Sequence, residues 1–208
     1  MQRFQRTATN IIVVLTAAAW ILTALAGYSG QAAYALGFIP LRMTQAVAWP
    51  AVPAFLTPLS ATLVHSGLVH LGFNLLIMLW CGTQVERVIG RGGVVALYLV
   101  GAYAAAAAQW ALDPLGATPM VGASGAISAV MGAFALSFGR ARPFTSNLRV
   151  NRWINVVWLL IAWIVLQMMM AWLAGGQGYL LATPAHVGGF AAGLLLQRPL
   201  LLWRYRRA

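Results

Sequence analysis

Acidic side chains are almost missing from this sequence: Glu86 and Asp113 are the only two in 208 residues, and lysine does not occur at all. Charged residues make up 7% of the chain, against about a quarter in an ordinary soluble domain. So small a stock cannot furnish a soluble surface, and two carboxylates are too few for a proton-coupled transport relay. Cysteine is reduced to Cys81, which rules out an internal disulfide.

What the chain has in quantity is apolar length. Hydrophobic residues are 62% of the total, in runs long enough to cross a bilayer, which takes roughly 20 residues as a helix. Six such segments are expected, at about 10–27, 68–86, 92–112, 121–138, 153–174 and 185–203. The fold class is therefore all-α, a polytopic bundle of six transmembrane helices, with residues 1–208 as one membrane domain. Small residues dominate the third and fourth segments, which suits interior helices packed against protein. The longest connection, 28–67, holds Pro40, Pro50, Pro53 and Pro58, with Trp49 and Phe55 among them. Trp favours the bilayer interface, so this loop is expected to lie partly among the headgroups.

All 13 basic residues are arginine, and the net charge is +11. In a soluble protein that would suggest nucleic acid, but here there is no soluble face to display it, and no nucleic-acid partner is expected. The arginines instead report topology. Arg3 and Arg6 precede the first segment. Arg87 and Arg91 separate the second from the third, and Arg140, Arg142, Arg149 and Arg152 the fourth from the fifth. Arg198, Arg204, Arg206 and Arg207 end the chain. Arg42 alone falls on the other side. By the positive-inside rule both termini are cytoplasmic. The first segment has a second reading: Arg3, Arg6, the apolar run 11–22 and Ala24-Leu25-Ala26 resemble a signal peptide, whose cleavage would leave five spans without inverting the rest.

This topology places the polar residues. The second, fourth and sixth segments all begin on the outer side, so His70, Asn74, Ser124 and His186 are expected in the outer half of the bilayer. Polar groups there are costly and usually functional. His70 and Asn74, four apart, share a helix face. On the last segment His186, Gly189 and Gly193 share one too, and on the fourth Ser124, Gly125, Ser128 and Gly132 form a face of small side chains. Two such faces let helices approach until Ser124 meets His186, a nucleophile and its base. His70, Asn74 and the Ser124 N–H are then available to an oxyanion. Taken singly, each residue has a plainer explanation: serine packs in Gly/Ala-rich spans, and a membrane histidine is often a hydrogen-bonder, a proton relay or a metal ligand. Their common depth argues for chemistry.

The motifs His65-x4-His70-x3-Asn74, Gly122-x-Ser124-Gly125 and Ala185-His186-x2-Gly189-x3-Gly193, with Gly82-x3-Glu86-x3-Gly90, resemble the rhomboid intramembrane serine proteases over about residues 52–195. The resemblance implies a Ser124–His186 dyad that cleaves a transmembrane segment of another membrane protein. It implies an oxyanion site of His70, Asn74 and the Ser124 N–H, with Gly122 allowing the tight loop before the serine. It also implies Phe73 as a gate where a single-span substrate enters from the lipid between the second and fifth segments. Neither cofactor nor metal is expected. Two departures stand out. Ser128 occupies a position where the family often stacks an aromatic ring on the histidine, so it either hydrogen-bonds His186 or leaves the ring looser. The Trp-Arg pair often found in the first outer loop is not evident at 55–58, which leaves Trp49 and the prolines to hold that loop.

A triad would need a carboxylate at His186. Glu86 is twelve residues past Asn74, about 18 Å deeper at 1.5 Å per residue. It is expected to cap the next helix or pair with Arg87 or Arg91. Asp113, before Pro114, is expected in the loop between the third and fourth segments. A dyad is therefore the expectation. Two other functions compete: a non-catalytic rhomboid-like protein that holds membrane clients, and a transporter. The first would usually lack the serine or histidine, and the second calls for inverted repeats, which the sequence does not show. A small core without targeting extensions suggests a bacterial inner membrane.

Overall fold

In a computed structural model, residues 7–45, 51–138, 144–173 and 182–206 are described. Arg3, Arg6, Trp49, Pro50, Arg140, Arg142 and Arg207 fall outside them, as does the connection before the last helix. The described residues are helical apart from turns and one isolated bridge, between Phe38 and Met120. Three stretches are long and apolar enough to cross a bilayer: Ala8–Leu25, Leu68–Leu112 and Leu148–Met169. With the family assignment given below, they make this an integral membrane helical bundle.

Helix α1 is Ala8–Leu25. The next long stretch is not one rod. It comprises α4, Leu68–Ile77, a π-helical turn at Met78–Gly82, and α5, Thr83–Leu112. Gly90, inside α5, has φ +79° and ψ 171°, a conformation that costs any residue with a Cβ. The helix breaks there into two limbs, close to where the sequence separates its second and third apolar runs. The break frees carbonyls at the end of the first limb. Arg204 serves them: its Nη1 donates to the Glu86 carbonyl at 3.2 Å and to that of Arg87.

Helices α6, Ser124–Phe138, and α8, Thr183–Tyr205, pack with α5 into the centre of the bundle. Glycine makes this possible. A Cβ at Gly101 would strike Ala129 and Ala126 of α6, and one at Gly132 would strike the Phe190 carbonyl of α8. With no hydrophobic drive between helices in lipid, such close backbone contact is what holds them. Val94, Leu97, Ile127, Val130 and Phe190 fill the remaining core. By contrast α7, Leu148–Leu173, leaves Trp153, Val157, Trp158 and Ile161 exposed. Among the described side chains of its apolar length, Val156, Trp163 and Gln167 insert deeply into the bundle.

Glu86 corrects one expectation. It does not cap the helix that follows it; it caps α1. Its Oε1 accepts from the Ala8 N–H at 2.9 Å, and its Oε2 from the Thr9 N–H at 2.8 Å and the Thr9 hydroxyl at 2.6 Å. Thr7 Oγ1 accepts the Asn10 N–H at 3.1 Å, so the first helical donors are all satisfied. Arg91 Nε lies 3.9 Å away, a loose ion pair that is exposed on the arginine side. A carboxylate at a helix start also suits the helix dipole. Glu86→Gln exchanges one acceptor for a donor that faces the Thr9 N–H, so it should destabilise the fold by about 1–3 kcal/mol. A lowered thermal midpoint in detergent is expected, and an unchanged one would show that α1 is held by its apolar contacts alone.

The 28–67 connection is more ordered than a loop. It contains α2, Ser29–Leu36, the short α3, Thr57–Ser60, and 3-10 turns at Pro40–Met43, Ala54–Leu56 and Ala61–Leu63. Arg42 is its clamp. Buried there, it donates to the Val52 carbonyl at 2.5 Å and the Tyr34 carbonyl at 3.4 Å. Trp20 Nε1 donates to the His65 carbonyl, and Tyr103 Oη to that of Phe55, which ties the connection to α1 and α5.

Candidate active site

The two faces of small residues expected on the fourth and sixth segments meet. A Cβ at Gly189 of α8 would collide with the Gly125 carbonyl and stand 3.1 Å from Ser128 Cβ, while one at Gly193 would collide with the Ala129 carbonyl. Gly125 itself faces Ala105 of α5. One turn before Gly189 on the same face, His186 Nε2 lies 2.9 Å from Ser124 Oγ. Both residues are buried.

Ser124 opens α6, where the first N–H groups have no partner within the helix and the dipole favours negative charge. Gly125 is helical, and among residues 122–125 only Gly122, at φ +111°, has positive φ. The Gly122 N–H donates to the Ala61 carbonyl at 2.9 Å. A Cβ on Gly122 would come within 2.7 Å of His70 Nε2 and 3.8 Å of Asn74 Nδ2. The loop before the serine and the two side chains of α4 are thus in contact through a missing methyl.

His70 and Asn74 do share a face, but they do not simply aim at one point. Asn74 Nδ2 spends one donor on the His70 carbonyl at 3.0 Å, and its Oδ1 has no partner. Ser66 Oγ lies 3.1 Å from His70 Nδ1. With Ser66 donating there, the ring proton sits on Nε2, beside Gly122. Phe73 is half-buried on α4.

Of the two alternatives for Ser128, the bond to His186 is not formed. Its hydroxyl donates to the Ser124 carbonyl at 2.7 Å and accepts from Trp163 Nε1 at 2.7 Å. The aromatic ring near His186 comes from α7: Trp163 stands edge-on to the imidazole, centroids 6.3 Å apart at 70°. Gln167, one turn further along, places Nε2 3.3 Å from His186 Nε2. Neither α7 residue was singled out in the sequence. Their signal was available, since Gln167 is a polar side chain in the middle of an apolar run. His65 stood in a motif without a role. It is buried, and its Nε2 lies 3.4 Å from the Ala123 N–H as an acceptor. Burial, and then the adjacent His70 ring 5.0 Å away, push its pKa down to about 3, which keeps that lone pair free. Asp113 lies in the turn after α5, where its carbonyl accepts the Gly116 N–H, away from these groups.

A family model described as the Rhomboid domain matches residues 53–203, most of the chain. The chain belongs to the rhomboid family. Among relatives, "Rhomboid protease GlpG" of Pectobacterium atrosepticum is 30% identical over 192 residues, 90% of this chain and 60% of that protein. "Rhomboid-type serine protease 2" of Emericella nidulans is 29% identical over 142 residues, 64% of this chain and 24% of its own. "Rhomboid protease GluP" of Bacillus subtilis is 38% identical over 78 residues, 38% of this chain and 14% of its own. The rhomboid chain thus spans less than two thirds of these relatives' lengths. Among its described residues no group of three His, Cys, Asp or Glu side chains could hold a metal ion.

Proposed function

We propose that this rhomboid is an intramembrane serine endopeptidase that works with a Ser124–His186 dyad. The observation that carries the reading is the 2.9 Å contact between His186 Nε2 and Ser124 Oγ at the start of α6. It sits in a bundle whose relatives bear protease names. Six spans are formed by α1, by α4 with the first limb of α5, by its second limb, and by α6, α7 and α8. Both termini are cytoplasmic, and the dyad opens to the outer side of a bacterial inner membrane.

The chemistry follows from the groups present. Ser124 Oγ attacks the scissile carbonyl carbon as its proton passes to His186 Nε2. The oxyanion receives hydrogen bonds from the Ser124 N–H, His70 Nε2 and the free Asn74 N–H. The C–N bond breaks as His186 returns the proton to the leaving amine. Water, deprotonated by His186, then cleaves the acyl-serine ester, and Ser124 regains its proton. No step requires a carboxylate, a metal or a cofactor. The substrate is a single transmembrane segment that enters beside Phe73, between α4 and the thinly packed α7. Its helix must unwind to expose one peptide bond, so segments rich in small, helix-weakening residues are preferred.

The test is cleavage of a reporter transmembrane substrate by purified protein in detergent. Wild type should cleave it and be labelled by a fluorophosphonate, whereas Ser124→Ala should do neither. Because His186 must be neutral to act as base, the rate should fall on acidification through its pKa. Equal cleavage by wild type and Ser124→Ala would end this reading.

A further inference from the structure

The base of the dyad lacks the partner that usually fixes an imidazole. Among the described residues, His186 Nδ1 is buried with no hydrogen-bond partner. Glu86 is committed to the start of α1, and Asp113 belongs to the turn after α5. A neutral imidazole carries one N–H and one lone pair, and the bonds at its two nitrogens decide which carries which. Ser124 cannot decide, because a hydroxyl donates or accepts with equal ease.

Gln167 can. An amide nitrogen only donates, so the 3.3 Å approach of Gln167 Nε2 to His186 Nε2 is favourable when that ring nitrogen presents its lone pair. This is the tautomer a general base needs. The Ser124 contact is the shorter of the two, so Gln167 biases the ring without displacing the nucleophile. Once Nε2 has taken the serine proton, the amide N–H has lost its acceptor. A half-turn of the carboxamide then brings Oε1 to the new N–H, which holds the imidazolium until the leaving amine collects the proton.

We propose that Gln167 is a positioning residue that holds the His186 ring at Nε2, donating to the lone pair of the neutral base and, by rotating its amide, accepting from the N–H once the proton has arrived. The proposal rests on the reading of Ser124 and His186 as a catalytic dyad. Among the described residues, the groups that face His186 are few. Ser124 comes from α6 and Trp163 and Gln167 from α7. His70 of α4 is the other ionisable ring within electrostatic reach. Around the neighbouring Gly188, α5 presents Ala104 and Ala108.

The experiment compares pH profiles of kcat and KM for wild type, Gln167→Met and Gln167→Glu on the reporter substrate. Met fills similar space without a hydrogen bond, and should lower kcat about tenfold with KM within about twofold. Glu offers acceptors only, which favours Nε2–H and the imidazolium. Its acid limb should move up by about one pH unit or more, with KM unchanged. A space-filling role would leave Gln167→Met on the wild-type profile, and a Met profile superimposed on that of wild type overturns the proposal. Should Gln167→Glu fail to fold, nitrogen-15 histidine spectra of wild type and Gln167→Met decide. A shifted His186 ring-nitrogen signal supports the role, and identical spectra overturn it. A wild type that neither cleaves nor takes the fluorophosphonate removes the dyad reading and this one together. A cleaving, labelled wild type with superimposed profiles removes only the role of Gln167.

Discussion

Ser124→Ala and His186→Ala should each lower kcat by about 10⁴- to 10⁶-fold, and the double variant should lose no more than the worse of the two. The reason is that the 2.9 Å contact makes the two side chains one machine. Without the imidazole, the serine hydroxyl has no acceptor for its proton, since the other ring nearby, His70, is engaged by Ser66 and faces Gly122. Without the serine, the imidazole has no nucleophile to activate. What survives in any of the three variants is the oxyanion site and substrate binding, so KM should change little. Single-turnover rates with the reporter in detergent would measure this. A double variant whose loss is the product of the single losses would mean that the two residues act independently, and the dyad would have to be abandoned.

Gly189→Ala should cost about 100-fold in rate with the catalytic groups untouched, because a misplacement of about 1 Å has that effect on an aligned pair. The new methyl would run into the Gly125 carbonyl and crowd Ser128. One obstacle is backbone and the other the Cβ of a fully buried residue, so α6 and α8 must part. His186 lies one turn away on the same face and moves with α8. Overpacking of this kind also costs about 1–3 kcal/mol of stability. Gly30→Ala is the control, since its Cβ would meet nothing within 4 Å. A Gly189→Ala protein that cleaves at the wild-type rate would show that the helix approach does not set the dyad distance.

The parts of the site that could be read in the sequence share one trait: they are carried by faces of small residues whose spacing is local. Ser124 with Gly125 and Ser128, and His186 with Gly189 and Gly193, announce close helix contact because little else explains such side chains in lipid. Glu86 was harder. Its depth followed from counting, but its partners are the first N–H groups of α1, some 77 residues earlier in the chain, and no local pattern encodes that. The same holds for Arg42, whose isolation was visible but whose acceptors are the carbonyls of Tyr34 and Val52. The partner of Ser128 stayed open because the ring that approaches it, Trp163, is one of several aromatic residues on a largely apolar helix. In such a helix, periodicity does not say which aromatic residue turns inward.

The π turn at Met78–Gly82 has a bearing on where this chain can change length. Asn74 and Glu86 both face α1, one beside Ile12, Val13 and Thr16 and the other at its first residues. In an unbroken α-helix, twelve residues would set them about 120° apart around the axis. The wide turn absorbs one residue, so the two stand in phase as if only eleven separated them, about 20° apart. The segment therefore holds one residue of slack. Loss of a residue here closes the turn to regular helix and leaves both ends on the same flank. Gain of a residue has no such reserve, and would swing Glu86 about 100° off the first helix.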